Sequence, residues 1–454
     1  MRVLIIGAAR QGLALARFLA TRGARVTLTD QRSASELQQA QQALANLPLE
    51  WALGGHSLDL LDGIDLLCPS GGVPLTIPIV VEARRRGIPL SNDSQIFLEE
   101  APCTVIGITG SAGKTTTTVL VGRMAATDYG PERTWVGGNI GNPLITKLDH
   151  MAEDHLAVVE LSSFQLEIMT QSPPVAAILN ITPNHLDRHK TMEAYTAAKA
   201  RILRFQQEKD VAILGHDDPG AWGLVDAVRG RLLSFGWGQP VENRAGIFLH
   251  EGMVSFWDGE SIQDLVPQDL IRLRGEHNVL NVLAACAIAK AAGLSVQAMR
   301  SGVADFTGVE HRLEFVRSRG GVRWFNDSIA TAPERAMAAI RSFDQPLILL
   351  AGGRDKNLPW DEFALMVCQR VDHLVLFGEA GAMIEQIVQR LRTGPRPFSI
   401  HRCAGLEEAV KTADQVAEPG DVVLLAPGGT SFDEFQDYAE RGERFREWVR
   451  KLPA

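Results

Sequence analysis

Apolar residues come along the chain in short continuous runs. Each run is closed by glycine or polar residues and followed by a stretch of helical spacing. RVLIIGA (2–8) reads as a buried strand, and QGLALARFLATRG (11–23) as an amphipathic helix that stops on glycine. ARVTLTD (24–30) is a second strand ending in an acid, and IDLLCPS (64–70) is another that leads into a Gly-Gly loop. PIVVEARRRGIPL (78–90) reads as a helix followed by a strand. Strands that alternate with helices imply a parallel sheet. The pattern restarts at CTVIGITGSAGKTTTTVLVGRMAA (103–126) and continues through LAVVELSS (156–163), VAAILNIT (175–182) and VAILGHDD (211–218). Short β elements separated by glycine turns fill 231–274, and HNVLNVLAACAIAKAAGL (277–294) is a strong helix. A third unit starts near 310, with strands in VRWFNDS, PLILLAGG, HLVLFGE and DVVLLAPGG. The expectation is three α/β domains in series, at 1–98, 99–308 and 309–454. The outer two are Rossmann-like, and the middle one is a P-loop type with a parallel sheet.

The polar residues that close these runs carry the candidate chemistry, because sites in open α/β sheets sit at the carboxyl ends of strands. GAARQG places Gly7 and Gly12 as the outer glycines of G-x-G-x-x-G, with Ala9 between them, and Asp30 ends the second strand where a ribose-binding acid is expected. This spacing fits a dinucleotide or a sugar nucleotide, and also a plain tight turn. GITGSAGKTTTT (107–118) is more specific. Gly110, Ser111, Ala112 and Gly113 are small enough for close approach of backbone to phosphate. Lys114 can reach the β- and γ-phosphates, and the Thr115 hydroxyl can ligate Mg²⁺, with Thr116 following on the helix start. The full G-x-x-x-x-G-K-[ST] pattern is not met, because Ile108 stands at its first glycine. Glu160 ends its strand beside Ser162 and Ser163 and suits a metal that takes oxygen ligands. His185 lies past the next strand among Asn184, Asp187, Arg188 and His189.

Composition narrows the classes. With 45% hydrophobic residues and a net charge of −9, the chain is an ordinary globular protein without the basic surplus of a nucleic-acid binder. No apolar run reaches about 18 residues, so no membrane insertion is expected. The start, MRVLIIGAARQG, lacks a cleavable-signal pattern. The five cysteines are scattered and without a C-x-x-C pair, which fits reduced thiols and a cytoplasmic location.

In order along the chain, TGSAGKTT, GGNIGNPL, VVELSSFQLE, NITPNHLDRH, YTAAKARIL, GEHNVLNVLAA, GVEHRLE and NDSIATAPE resemble the Mur ligases, the ATP-dependent amide-forming enzymes of peptidoglycan precursor synthesis. The likeness covers essentially the whole chain. The shortened G-x-x-G-K-T loop is that family's usual form. The resemblance implies ATP and two Mg²⁺ ions: Lys114 on the phosphates, Thr115 and Glu160 on one ion, His185 on the second, and Lys199 as a carbamylated lysine. It places Asn139 near the reacting carboxylate, Asn278 and Asn281 on the nucleotide, and Arg312 and Asp327 in a third domain that closes over ATP. Asp30, Arg32 and Ser70 then belong to a UDP site, and Thr331, Lys356, Ser431 and Tyr438 to the amino-acid site. The partners implied are UDP-N-acetylmuramoyl-L-alanine and D-glutamate, joined through an acyl phosphate by a monomer.

One stretch departs from the pattern. The D-glutamate-adding branch often reads N-D-S-K-A-T-N, and here it is NDSIATAPE, with Ile329 at the lysine. The histidine that the sister ligases carry in this stretch is also absent. Three other classes stay open on the residues alone. A nicotinamide-dependent dehydrogenase accounts for GAARQG but not for Lys114, Thr115 and Glu160. A folylpolyglutamate synthase shares the later motifs but not the UDP unit. A nucleotide-binding scaffold would turn over nothing.

Overall fold

A computed structural model describes residues 1–241, 244–273, 275–356 and 358–453. The chain forms two compact units, Met1–Phe306 and Thr307–Ala454. No described helix is long and apolar enough to cross a membrane.

The first unit holds two sheets. In the smaller one the strands lie in the order Leu49–Leu53, Arg25–Asp30, Arg2–Ile6, Leu66–Pro69, all parallel. The strand expected at the end of 78–90 is reduced to a single bridge between Leu67 and Leu90. Pro89, which has no N–H to give a ladder, stands within that stretch.

The larger sheet has nine strands. Its parallel part runs Arg231–Gly236, Val211–Gly215, Val175–Ile178, Thr104–Thr109, Leu156–Glu160, Thr134–Gly138. Gly246–His250 adds to this in parallel, but Met253–Trp257 and Ile262–Pro267 then add antiparallel. The parallel run is the parallel sheet expected of the middle domain, and the glycine-turned β elements of 231–274 extend its edge in mixed sense. The reason is local: His250 and Met253 are joined by only Glu251 and Gly252, both at positive φ (46° and 78°). A two-residue turn of that hand makes a hairpin, whereas a parallel return needs a long crossover.

The two sheets of this unit share one hydrophobic core. Val3, Ile5, Leu15 and Phe18 belong to the same buried cluster as Leu144, Leu148, Leu166 and Met169. Polar side chains lock the seam. Asn92 caps the helix Asp93–Glu100 and donates to the Gln165 carbonyl at 2.8 Å, and Gln165 Nε2 donates to Ser94 Oγ at 2.7 Å. Gln95 exchanges two hydrogen bonds with Thr170, at 2.6 and 2.7 Å.

The second unit is a six-stranded sheet in the order Glu314–Arg319, Val322–Asn326, Val422–Gly428, Leu347–Gly352, His373–Phe377, Ser399–Arg402. All neighbours are parallel except the first pair, a hairpin closed by Gly320 and Gly321, both at positive φ. Apolar clusters cover both faces, as a doubly wound sheet requires.

Gly12 shows how tightly the first strand and helix meet. A Cβ there would lie 1.9 Å from the Gly7 carbonyl oxygen. Gly12→Ala is expected to destabilise the first unit by about 1–3 kcal/mol, the usual cost of overpacking. Chemical denaturation followed by tryptophan fluorescence checks this, and an unchanged midpoint would refute the contact.

Candidate active site

Four parallel strands of the larger sheet stop at one edge. Ile108 lies beside Glu160 and Thr109 beside Ile178, and Gly138 flanks Glu160 on its other side. The residues just past these ends, Gly110–Gly113, Asn139, Glu160 and Asn180, are therefore brought together by strand register alone.

The loop is held from outside itself. The Ser111 amide donates to the Asn180 carbonyl at 2.9 Å and the Ala112 amide to Asn180 Oδ1 at 2.8 Å, while Asn180 Nδ2 donates back to the Ala112 carbonyl at 3.2 Å. Ser111 Oγ lies 3.0 Å from the Tyr195 hydroxyl and 2.9 Å from the Thr182 carbonyl. Gly113 is left-handed (φ 81°), and a Cβ on it would sit 2.2 Å from Asn281 Oδ1. Asn281 in turn donates to Asn278 Oδ1 at 3.0 Å, one turn earlier on the helix Glu276–Ala291. The loop opens the helix Lys114–Tyr129, whose N-terminus favours an anion.

Around this loop the charged groups are hydrogen-bonded to neutral partners. Lys114 Nζ reaches back to the Gly110 and Ser111 carbonyls at 3.0 and 3.3 Å. Thr115 Oγ1 donates to Glu160 Oε2 at 2.8 Å, and Asn139 Nδ2 donates to Glu160 Oε1 at 2.9 Å. Thr116 is half-buried on the same helical turn. Lys199 is only 1% exposed and donates to the Gly110 carbonyl at 2.8 Å. Burial, then the nearby Lys114, pulls its ammonium down to about 7, against the opposing pull of Glu160. Burial thus favours the neutral amine far more than in an ordinary surface lysine. Its helix, Met192–Arg204, is capped by Thr191 and turns Tyr195 and Lys199 inward together, one turn apart.

His185 begins the short turn Leu186–His189 in a left-handed conformation (φ 53°), with its ring edge-on to Phe164 at 5.1 Å. His189 stacks on the same Phe164 and bonds Ser163 at 2.9 Å. Arg188 lies over that ring and donates to the carbonyls of Gly72 and Val73 at 3.0 and 3.3 Å, tying the turn to the smaller sheet's loop. The side chain of Asp187 lies outside the described residues.

At the smaller sheet a cavity of about 200 Å³ is lined by Gly7, Asp30, His56, Gly72 and Val73 among others. Asp30 accepts from the Ala8 amide at 2.7 Å and holds Arg32 through Nε and Nη2 at 3.0 and 2.8 Å. Burial pushes its carboxyl up, but these bonds outweigh that and hold it at about 2. Ser70 Oγ donates to the Gly7 carbonyl at 3.1 Å.

In the second unit Asp327 is buried, accepts from the Leu313 amide at 3.0 Å and is pushed up to about 6 by burial, with Arg312 and Arg335 opposing. Ser431 is buried past the strand Val422–Gly428. Tyr438 opens the last helix, and its carbonyl accepts from Ser328 Oγ at 2.7 Å. Thr331 and Lys356 follow the ends of two other strands of that sheet. Glu310, His311 and Glu443 also gather within 4.8 Å, but Arg446 pairs with both acids.

Sequence reasoning did not single out Asn180, Tyr195 or His56 as site residues. Asn180 was findable as the polar residue ending VAAILN, and Tyr195 as the residue four before Lys199. His56, which meets Thr29 Oγ1 at 3.0 Å, had no local signal.

Comparison with known proteins gives this geometry a family. A Mur ligase MurD-like N-terminal domain matches residues 1–92, a Mur ligase middle domain 108–289, and a Mur ligase glutamate ligase domain 311–429. The UDP-N-acetylmuramoylalanine–D-glutamate ligase of Symbiobacterium thermophilum is 40% identical over 451 residues, covering 99% of this chain and 98% of that protein. The chain belongs to the Mur ligase family. The same-named ligase of Acidobacterium capsulatum is 41% identical over 452 residues, covering 99% and 96% of the two chains. Two solved Mur ligases share the fold: UDP-N-acetylmuramate-alanine ligase MurC from Thermotoga maritima (TM-score 0.53, 19% identity, 99% of both chains) and MurF from Acinetobacter baumannii (TM-score 0.52, 19% identity, 98% and 93%). The three-domain α/β architecture is thus that of the Mur ligases.

Asn180→Ala removes the acceptor of the Ala112 amide and the donor to its carbonyl. Hydrogen exchange is expected to speed up at Ala112 by roughly fivefold, for a lost bond of about 1 kcal/mol. Protection unchanged at that amide would show that the asparagine does not hold the loop.

Proposed function

We propose that this protein joins D-glutamate to UDP-N-acetylmuramoyl-L-alanine, using ATP and passing through an acyl phosphate. The single observation that carries this reading is the buried Thr115–Glu160 pair beside the Gly110–Gly113 loop, with Lys114 and Lys199 at its mouth. A hydroxyl and a carboxylate 2.8 Å apart make an all-oxygen set of the kind Mg²⁺ takes, and the loop has the small residues and the helix N-terminus that a polyphosphate needs. Similarity to the two named ligases supports the choice of amino acid and nucleotide.

In this reading residues 1–98 take the UDP substrate, with Asp30, Arg32 and Ser70 around the cavity. Residues 99–308 take ATP, and residues 309–454 take the amino acid through Thr331, Lys356, Ser431 and Tyr438. Thr115 and Glu160 hold one Mg²⁺, and His185 and Lys199 a second. When bound, ATP with its two Mg²⁺ ions supplies the phosphoryl group and screens its charge. The chain's own part is positioning and electrostatics. Lys114 turns from the Gly110 and Ser111 carbonyls onto phosphate oxygens, Asn139 fixes Glu160 and faces the reacting carboxylate, and Asn278 and Asn281 support the loop. Arg312 and Asp327 act on the nucleotide from the second unit. The amine of D-glutamate then attacks the activated carbonyl, and phosphate leaves; no protein nucleophile is needed. The neutral amine of Lys199 adds to carbon dioxide and releases one proton, and the resulting carbamate puts one negative charge, shared over two oxygens, where a cation stood. The proposal includes a monomer in the cytoplasm.

Phosphate release measured with UDP-N-acetylmuramoyl-L-alanine, ATP and each of D-Glu, L-Glu, D-Asp and L-Ala tests the reading. D-Glu should be used best, and Lys114→Ala should lose roughly a hundred- to a thousandfold in kcat. Turnover without the nucleotide sugar, or a preference for L-Ala, would defeat it.

Lys199→Ala should lose most activity and recover part of it with added short carboxylates such as formate. Full activity without rescue would exclude the carbamate.

A further inference from the structure

Asp30 is the acid that a nucleotide would meet in the cavity of the smaller sheet, but its acceptors are already taken. Oδ1 accepts from the Arg32 amide and from Arg32 Nε, both at 3.0 Å, and Oδ2 from the Ala8 amide at 2.7 Å and Arg32 Nη2 at 2.8 Å. A carboxylate has about four acceptor positions, and these donors fill them. Carbonyls of the lining residues are occupied as well: Gly7 accepts from Ser70 Oγ, and Gly72 and Val73 accept from Arg188. Gln31 lines the cavity too, but it is exposed and its amide donates as readily as it accepts. A ligand N–H that enters here needs an acceptor from another residue.

His56, which lines the same cavity, has that acceptor. Its Nδ1 lies 3.0 Å from Thr29 Oγ1, and the same hydroxyl donates to the Gly55 carbonyl at 3.0 Å. Thr29 is fully buried, and a hydroxyl has a single proton to give. The carbonyl can only accept, so that proton goes to Gly55 and the Nδ1–H of His56 donates to Oγ1. A neutral imidazole with its proton on Nδ1 carries a bare lone pair on Nε2. Nε2 makes no hydrogen bond among the described residues. Burial holds the ring below the ordinary histidine range, against the pull of Asp30, and so keeps it neutral at neutral pH. The strand order sets which part of a nucleotide this lone pair meets. Gly7 and His56 follow the strands Arg2–Ile6 and Leu49–Leu53, and the strand that ends on Asp30 lies between them. Neighbouring strands are about 4.8 Å apart, so the outer two ends stand roughly 10 Å from each other. A diphosphate at the Gly7 turn therefore puts its ribose by the middle strand and its base by the outer one.

We propose that His56 selects the base of the nucleotide sugar, its bare Nε2 accepting the N3–H that lies between the two carbonyls of uracil. This rests on the ligase reading above and names the residue that reads the base at its sugar-nucleotide site. N3–H is the one ring donor that uracil keeps once N1 carries the ribose. Cytosine has an acceptor at N3 and would set one lone pair against another, which leaves both unpaired.

The test is a calorimetric titration of the full-length protein, which needs no turnover. The ligands are UDP-N-acetylmuramoyl-L-alanine and its analogues with 3-methyluracil or cytosine in place of uracil. The unaltered protein should bind both analogues roughly tenfold more weakly, for a lost hydrogen bond and an acceptor left unpaired. His56→Ala should weaken the uracil ligand roughly fivefold and bring the affinities for uracil and 3-methyluracil to within about twofold of each other. Nitrogen NMR of the unaltered protein with labelled histidine, the His56 signal being the one lost in His56→Ala, should show Nδ1 protonated and Nε2 bare before ligand is added. The proposal is overturned if His56→Ala keeps the parent's ratio of uracil to 3-methyluracil affinity, or if the free protein carries the ring proton on Nε2. If UDP-N-acetylmuramoyl-L-alanine does not bind the unaltered protein at all, the ligase reading falls and this assignment falls with it.

Discussion

The register of parallel strands is the constraint on which the central site depends. Because Ile108, Glu160 and Gly138 lie side by side, whatever follows them in the chain is delivered to one edge. Asn139 and Thr115 then reach the two oxygens of Glu160 without any long loop to hold them. A one-residue slip of either strand would turn Glu160 to the opposite face and take the carboxylate away from the threonine. The sheet's backbone hydrogen bonds thus do the positioning that a flexible loop could not.

The second consequence of that edge is electrostatic. Lys199 and Lys114 both bond to the carbonyl of Gly110, and one of them is almost wholly buried. Burial of one cation beside another is unfavourable, and the molecule answers by weakening the proton on Lys199. The opposite device operates at Asp30, where bonds from Arg32 and Ala8 overcome burial and keep the carboxyl charged. In the second unit the buried Asp327 is raised to about 6 by burial, against the opposing pull of the Leu313 amide, Arg312 and Arg335.

Much of this was legible in the sequence, for physical reasons that can be named. Buried parallel strands must be continuous apolar runs, so LAVVE and VAAI announced themselves, and Glu160 stood out as a carboxylate ending such a run. The glycines of the phosphate loop are required by close approach of backbone, which composition displays directly. Lys199 showed nothing by itself, since a helix lysine is ordinary until its face is known to be inward; it entered only through resemblance. Asn180 stands in view as the polar residue ending VAAILN, but its clamp on the loop, 68 residues away, is a tertiary contact that the local pattern does not spell out. The antiparallel edge of the middle sheet was written in Glu251-Gly252, but the turn's hand depends on φ, which the sequence only suggests.

The shared core of the first two sheets has a consequence for synthesis. As the chain leaves the ribosome, the first ninety-odd residues (about 92) present the apolar side chains of the helix Arg10–Thr21 before their partners at 144–169 exist. Asn92, Ser94 and Gln95 likewise wait for Gln165 and Thr170. The opening sheet is thus an unfinished surface for some seventy residues of translation (about 70), and its folding is completed by a segment that the phosphate loop precedes. The glycine loop before Lys114 and the cavity beside Asp30 thus belong to one compact unit with one shared core.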